Sequence, residues 1–360
     1  MRLHLVGGFL GSGKTTAIIH AAKLMMDRGL RVGVITNDQG KYLVDTAFFQ
    51  LGGVPAVEVT GGCFCCNYDD LDSRLTQLIA AHRPEVIFAE SVGSCADVVA
   101  TVVKPLLELG QDGVRPTSFT VFADARLLRR RLLGQEMPFS EDVVYIFDKQ
   151  IEEAGLVVIN KTDLLSDLAV EEMRRLWEEA YPGKHSLFQS SLTQTGVQPW
   201  LNLIQSGYLA LPQTTLEIDY ARYGAGEALL AWLDEEIELD LPAGQGRALV
   251  RQIITRVTAE LAQRGAGIGH LKFIIQDGSP SGEGGAKVSI PTLEEPGWEE
   301  QIPDLPGGKV GLLVNARVEM PALDLRALLS QVLEKSGVKY QIQSESAFHP
   351  GQPNPTHRMP

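Results

Sequence analysis

Gly8-Phe9-Leu10-Gly11-Ser12-Gly13-Lys14-Thr15, with Thr16 behind it, fits the pattern G-x-x-x-x-G-K-[ST]. The apolar run Leu3–Val6 ahead of it reads as a short buried strand, and Thr16 to Arg28 carries apolar residues at helical spacing. Strand, glycine-rich loop and helix in that order make a phosphate-binding loop. Gly8, Gly11 and Gly13 let the backbone curl so that successive N–H groups converge on a phosphate, with the positive end of the helix dipole behind them. Lys14 is then placed to reach the β- and γ-phosphates, and the Thr15 hydroxyl to hold Mg2+. A plain glycine-rich turn is the alternative, and the agreement of both flanking elements argues against it. The expectation is a nucleoside triphosphate site built from Gly11, Ser12, Gly13, Lys14, Thr15 and Thr16.

Outward from this loop the chain alternates between strands and helices. Strands are expected at Arg31–Thr36, Val54–Val59, Pro84–Glu90, Ser118–Ala123, Leu156–Ile159 and Leu187–Ser190, with helical segments between them, including a short one at Leu43–Leu51. This rhythm predicts an α/β fold, a doubly wound and mostly parallel sheet. Such sheets bind ligands beyond the carboxyl ends of their strands. The phosphate loop, Asp38, the cysteines after Thr60, Glu90, Asp124 and Asn160 all follow strand ends, so one sheet edge gathers them into one site. The rhythm changes near Leu211-Pro212, which sets a first domain at 1–212 and a second at 213–345. The second reads as strand (227–240), helix, three strands, helix and strand, a smaller α+β domain close to the ferredoxin-like arrangement with one extra strand. Residues 346–360 form a proline-rich tail, extended or disordered.

The 360 residues are enough for two cores, and 44% hydrophobic with 21% charged residues is ordinary for a soluble globular protein. A net charge of −13 argues against a nucleic-acid partner. No apolar run approaches the ~20 residues needed to span a membrane, and the short N-terminal apolar run is no signal peptide. Four cysteines, three of them within 63–66, suit a reducing cytoplasm in which thiols do chemistry.

Asn160-Lys161-Thr162-Asp163 follows a strand and reads N-K-x-D. A carboxylate at Asp163 can accept from the two N–H donors on the guanine edge, a pair that adenine lacks, so the expected nucleotide is GTP. A helix-capping turn is the alternative. Ser190 and Ser191 end the last strand of the domain, where backbone groups brace the base. Glu90 is placed to hold the Mg2+ shell, and Gly93 to donate its N–H to the γ-phosphate and move when that phosphate leaves. No glutamine stands where small GTPases use one to orient water. The catalytic set is therefore Lys14, Asp38 and Glu90, with slow turnover expected.

Cys63-Phe64-Cys65-Cys66 follows Gly61-Gly62. Cys63 and Cys65 can face one way, and the glycines permit a turn that brings Cys66 to the same centre. Three thiolates suit Zn2+ or another borderline ion such as Co2+ or Ni2+, with one tetrahedral position left open for exchange. Inert buried thiols or a redox pair are the alternatives. Cys95 is a candidate fourth ligand and equally a small packing residue.

The succession G-x-L-G-x-G-K-T-T, G-C-x-C-C, E-x-x-G and N-K-x-D resembles the CobW-like GTPases, relatives of the nickel-insertion GTPases of urease and hydrogenase maturation. The resemblance covers about residues 1–210 and includes Gln150-Ile151-Glu152-Glu153-Ala154. It implies a GTPase that delivers or inserts metal into a client metalloprotein, with Gly11–Thr16, the three cysteines and Asn160, Lys161 and Asp163 in the corresponding roles. Asn37-Asp38-Gln39-Gly40-Lys41 departs from the family's N-E-F-G-E, and the histidine-rich segment of many members is absent. Residues 213–360 carry no such resemblance. A homodimer is one assembly open to the chain. Two other functions fit the motifs in part. One is a GTP-gated assembly factor for a metalloenzyme or corrinoid protein that carries no metal. The other is a P-loop kinase whose lid uses Arg126, Arg129, Arg130 and Arg131. His270 reads as core or edge packing with metal or client contact as the alternative, and His349 and His357 as part of a solvated tail.

Overall fold

In a computed structural model, the described residues are 1–38 (the side chain of Asp38 excepted), 49, 53–276, 285–290, 297–305 and 307–360. They form two compact units, one of 1–38, 49, 53–224 and 353–360, the other of the described residues within 225–352. Apart from Phe49, the helix expected at Leu43–Leu51 falls outside the described residues, as do residues 39–41 of the first switch.

The first unit is the expected doubly wound sheet. Its strands are β1 (Arg2–Gly8), β2 (Val32–Asp38), β3 (Ala56–Thr60), β4 (Val86–Glu90), β5 (Arg115–Asp124), β6 (Leu156–Asn160) and β7 (Ser186–Phe188), in the order β3-β2-β4-β1-β5-β6-β7. Every pairing among them is parallel. The strands are near-continuous apolar runs because helices cover both faces. On one face the helix Lys14–Met26 buries Ala17, Ile18, Ala21, Ala22 and Met25. Trp200, fully buried, lies edge-on to Phe122 with ring centroids 5.1 Å apart, and its indole N–H donates to Thr120 Oγ1 at 3.3 Å. Gly8 is required by packing as well as by φ (126°), because a Cβ there would lie 2.1 Å from the Phe122 carbonyl oxygen.

The register brings the strand ends level: Val6 pairs with Glu90, Asp38 with Thr60 and Asp124 with Asn160. The six sequence-distant positions therefore share one edge, as the strand–helix rhythm implies.

The second unit has β8 (Leu230–Leu241), β9 (Gly267–Gln276), β10 (Gly285–Ile290), β11 (Gly308–Glu319) and β12 (Lys339–Phe348), in the order β10-β9-β11-β8-β12, with all pairings antiparallel. With β10 set aside this is the ferredoxin-like order, so the extra strand sits at an edge. Helices Gly246–Gln263 and Ala322–Ser336 supply Ile253, Ile254, Leu328 and Leu329 to its core.

Three sequence readings differ from the structure. The units divide at Gly224 rather than at Pro212. Residues 220–229 form a helix, so the strand expected from 227 begins at Leu230; Gly224 and Gly226 lower the helix signal there. The tail is extended as expected, but β12 runs to Phe348 and residues 353–360 pack into the first unit.

Candidate functional site

Around the phosphate loop, Gly8, Gly11 and Gly13 all adopt positive φ (126°, 70° and 89°). The buried Lys14 ammonium donates to the Gly8 carbonyl at 2.6 Å and to that of Phe9 at 3.3 Å. Thr15 Oγ1 donates to Glu90 Oε1 at 2.9 Å, so the hydroxyl and the carboxylate predicted to hold Mg2+ are neighbours. Both are hard oxygen donors, which suits that ion. Ser12 Oγ is buried with no hydrogen-bond partner among the described residues, consistent with a loop made to receive an anion.

Asn160, fully buried at the end of β6, ties the loop to the predicted base motif. Its Nδ2 donates to the Ser12 carbonyl at 2.7 Å, and its Oδ1 accepts from both the N–H and the hydroxyl of Ser191, each at 2.9 Å. A Cβ on Gly13 would lie 2.4 Å from that same Nδ2. Lys161 adopts φ 67°, and its ammonium lies 3.1 Å from Asp124. Burial would raise Asp124, but Lys161 and Arg126 outweigh it and hold the carboxyl at about 2. Asp163 is exposed in a single 3-10 turn, Thr162–Leu164. Ser190 is buried, and its hydroxyl accepts from the Thr193 N–H at 3.1 Å.

The cysteine loop follows β3. Gly61 (φ 75°) turns the chain, and the N–H groups of Cys66 and Asn67 both bond back to the Cys63 carbonyl. Asn37 braces the turn from β2. Its Nδ2 donates to the carbonyls of Val59 (3.1 Å) and Gly62 (2.7 Å), and its Oδ1 accepts from the Phe64 N–H at 2.8 Å. The three sulfurs lie within 4.8 Å of one another, with Cys63–Cys65 at 2.7 Å, Cys63–Cys66 at 3.3 Å and Cys65–Cys66 at 3.7 Å. All four cysteines are free thiols. Hydrogen bonding to Cys63 pushes Cys66 up to about 11 and, with burial, pushes Cys65 well above its ordinary value. Capture of a soft cation by these groups therefore releases protons.

Three participants escape the sequence reading. Asn37 is one. Gln150 is another: its Nε2 donates to the carbonyls of Gly93 (3.0 Å) and Cys95 (2.8 Å). The third is the tail. Thr356 bonds through its N–H to the Cys65 carbonyl (2.8 Å) and through its hydroxyl to that of Cys66 (2.9 Å), and the Asn354 N–H reaches Cys66 Sγ at 3.4 Å. Arg358 Nε donates to the fully buried Asp97 at 2.7 Å, and Asp97 also accepts from the Tyr220 hydroxyl at 2.8 Å. The motif match at 150–154 was the one available signal for Gln150; an extended proline-rich segment offers none for the tail.

The three histidines singled out in the sequence each have a contact within the protein. His270, buried, bonds through Nε2 to Asn315 Oδ1 at 2.5 Å. His349 Nε2 accepts from the Ala322 N–H at the start of a helix (2.9 Å), and the His357 ring stands edge-on to Tyr68. Of the arginines suited to a lid, Arg126 pairs with Asp124, Arg129 with Glu172 and Arg131 with Asp148.

Residues 2–188, just over half the chain, match the family described as CobW/HypB/UreG, nucleotide-binding domain. The chain belongs to that family. Among curated relatives, the zinc chaperone YeiR of Escherichia coli (strain K12) is 29% identical over 179 residues, covering 49% of this chain and 52% of YeiR. The zinc chaperone CobW of Sinorhizobium sp is 31% identical over 194 residues, covering 47% of this chain and 53% of that protein. The chain thus spans about half the length of the curated relatives it matches. Among solved structures, HypB from Helicobacter pylori in complex with nickel aligns over 58% of this chain and 89% of its own, at 17% identity and a TM-score of 0.42. Zn(II)-bound YjiA GTPase from E. coli aligns over 92% and 98%, at 15% identity and a TM-score of 0.35. Among the described residues no helix is long and apolar enough to cross a membrane.

Proposed function

We propose that this protein hydrolyses GTP and couples that cycle to the capture and release of a thiolate-bound metal ion, Zn2+ by preference, for a client metalloprotein in the cytoplasm. The observation that carries the reading is the convergence of three thiols on the strand-end edge that also holds the phosphate loop. Lys14 neutralises the β- and γ-phosphates, and the glycine-rich loop donates its N–H groups to them. Thr15 and Glu90 would hold Mg2+, which when bound would draw charge from the phosphates. Asp163 accepts from the guanine edge, braced through Asn160 and Ser191. Gly93 reads the γ-phosphate; Asp38 and Glu90 are the carboxylates available to orient water. The metal is cargo, held by Cys63, Cys65 and Cys66.

The ion pairs of Arg126, Arg129 and Arg131 speak against a kinase lid. In an assembly factor without cargo, Cys65→Ser would keep full function in cells; in a metal carrier it loses function. Base selection has its own test. Asp163→Asn exchanges a carboxylate acceptor for an amide that presents a donor, costing about 2–4 kcal/mol in GTP affinity, or ~30–1000-fold, and should favour XTP, whose base carries a carbonyl in place of the amino group. Nucleotide titration of the variant decides it, and a retained preference for GTP removes the guanine assignment.

A further inference from the structure

Between the nucleotide loop and the thiols runs one short piece of chain, Glu90-Ser91-Val92-Gly93-Ser94-Cys95. Its first residue bonds Thr15 through Oε1. Its middle touches the phosphate loop so closely that a Cβ on Gly93 would lie 2.6 Å from Leu10 Cδ2 and 3.0 Å from Leu10 Cα. Its last residue, Cys95, is buried with its Sγ 3.9 Å from that of Cys65. The Cys95 N–H bonds the Val92 carbonyl, and Gln150 clamps the carbonyls of Gly93 and Cys95 together. Six residues thus join the Mg2+-side carboxylate to a fourth sulfur.

The spacing of that sulfur matters. Zn–S bonds of about 2.3 Å in a tetrahedron set sulfurs about 3.8 Å apart. Cys65 already lies at 3.7 Å from Cys66 and 3.9 Å from Cys95. The Cys63 sulfur, 2.7 Å from Cys65 and 3.3 Å from Cys66, has to move outward by up to about 1 Å as an ion enters.

We propose that Cys95 is the fourth thiolate of the metal site, delivered by the segment that reads the nucleotide, so that the occupant of the phosphate loop sets whether the metal is held by four sulfurs or three. This rests on the reading that Cys63, Cys65 and Cys66 bind metal. It makes the site closable: four thiolates retain a soft divalent cation, and withdrawal of Cys95 opens a coordination position through which the ion leaves.

The test uses the full chain loaded with Co2+, whose visible and near-ultraviolet bands report thiolate number. Wild type is expected to show a four-thiolate tetrahedral spectrum and Cys95→Ser a three-thiolate one. Loss of a group that merely supports a ligand costs about 10–100-fold in affinity, so loss of the ligand itself should weaken Co2+ by at least about tenfold. A non-hydrolysable GTP analogue should change the wild-type spectrum and leave that of Cys95→Ser unaltered. X-ray absorption of zinc-loaded wild type counts sulfurs directly and needs no variant to fold; four support the proposal. Three sulfurs in wild type, with a spectrum indifferent to Cys95→Ser, overturn it while leaving the three-cysteine reading intact. Equal responses of both proteins to the analogue overturn the delivery of Cys95 by nucleotide. Folded wild type that binds no Co2+ and no Zn2+ overturns the three-cysteine reading as well.

Discussion

In the first unit the buried polar residues Glu90 and Asn160 end strands and Lys14 and Thr15 open the helix after the glycine-rich loop, whereas in the second Asp234, Asn315 and Arg317 stand mid-strand on β8 and β11. Asp234 Oδ1 accepts from Asn315 Nδ2 at 2.7 Å and from Arg317 Nη1 at 2.8 Å. Arg317 also donates to the Ala316 carbonyl, and its guanidinium lies 3.9 Å from the Trp232 ring centroid. The bonds of this second set run among neighbouring strands of one sheet, to Leu233, Asp234, His270 and Ala316, while beside the first set Ser12 Oγ is buried with no partner among the described residues. Both units pay desolvation for their buried charge. Burial alone does not mark a site; burial at a strand end, beside groups that gain a partner only from a ligand, does.

The contrast can be broken most sharply at Asp234. Asp234→Ala strands a fully buried guanidinium and should cost about 3–5 kcal/mol in urea denaturation. GTP affinity under folding conditions should stay within about twofold, and a parallel collapse of GTP binding would erase the distinction between the two networks.

Asp124 is an instructive intermediate, a strand-end carboxylate that already has partners. Its carboxyl is held at about 2 against an ordinary 3.8, so the stabilisation is complete above pH 3.8 and fades as pH falls through 2. A shift of that size is worth about 2 kcal/mol. Denaturation midpoints of wild type and Asp124→Asn should be well separated at neutral pH and converge toward pH 2. A gap that is independent of pH would show that the ion pairs with Lys161 and Arg126 contribute nothing.

The smallest effect is expected at Arg358, which is partly exposed where it meets Asp97. Arg358→Ala should cost about 1 kcal/mol or less, because Tyr220 remains bonded to Asp97. It should nonetheless let a maleimide reach Cys66 severalfold faster. Unchanged labelling would mean that residues 353–360 do not shield that thiol.

Much of this was legible in the sequence because the first unit's candidate site is built from short, contiguous motifs that follow strand ends. Gly8–Thr15, Cys63–Cys66, Glu90–Gly93 and Asn160–Asp163 each declare a chemistry, and the strand–helix rhythm places them on one edge. What stayed hidden acts by long-range hydrogen bonds from residues of ordinary type. Asn37 looks like one more switch residue, and Gln150 like one more polar helix position. The tail carries prolines, which remove periodicity, so its packing left no pattern to read. The helix at 220–229 was masked by two glycines for a related reason: local preference was weak and tertiary contacts decided.

The tail's seat has a consequence in time. Thr356 bonds the Cys66 carbonyl across 290 residues of chain. At a synthesis rate of roughly 5–20 residues per second, about 15–60 s separate translation of the cysteine loop from translation of the residues that cover it. Throughout that interval a nascent chain presents its thiols without their cover, open to whatever metal or oxidant is at hand. Loading during synthesis and loading of the finished protein are therefore chemically different events, and pulse-labelling of ribosome-bound chains with a thiol reagent would separate them.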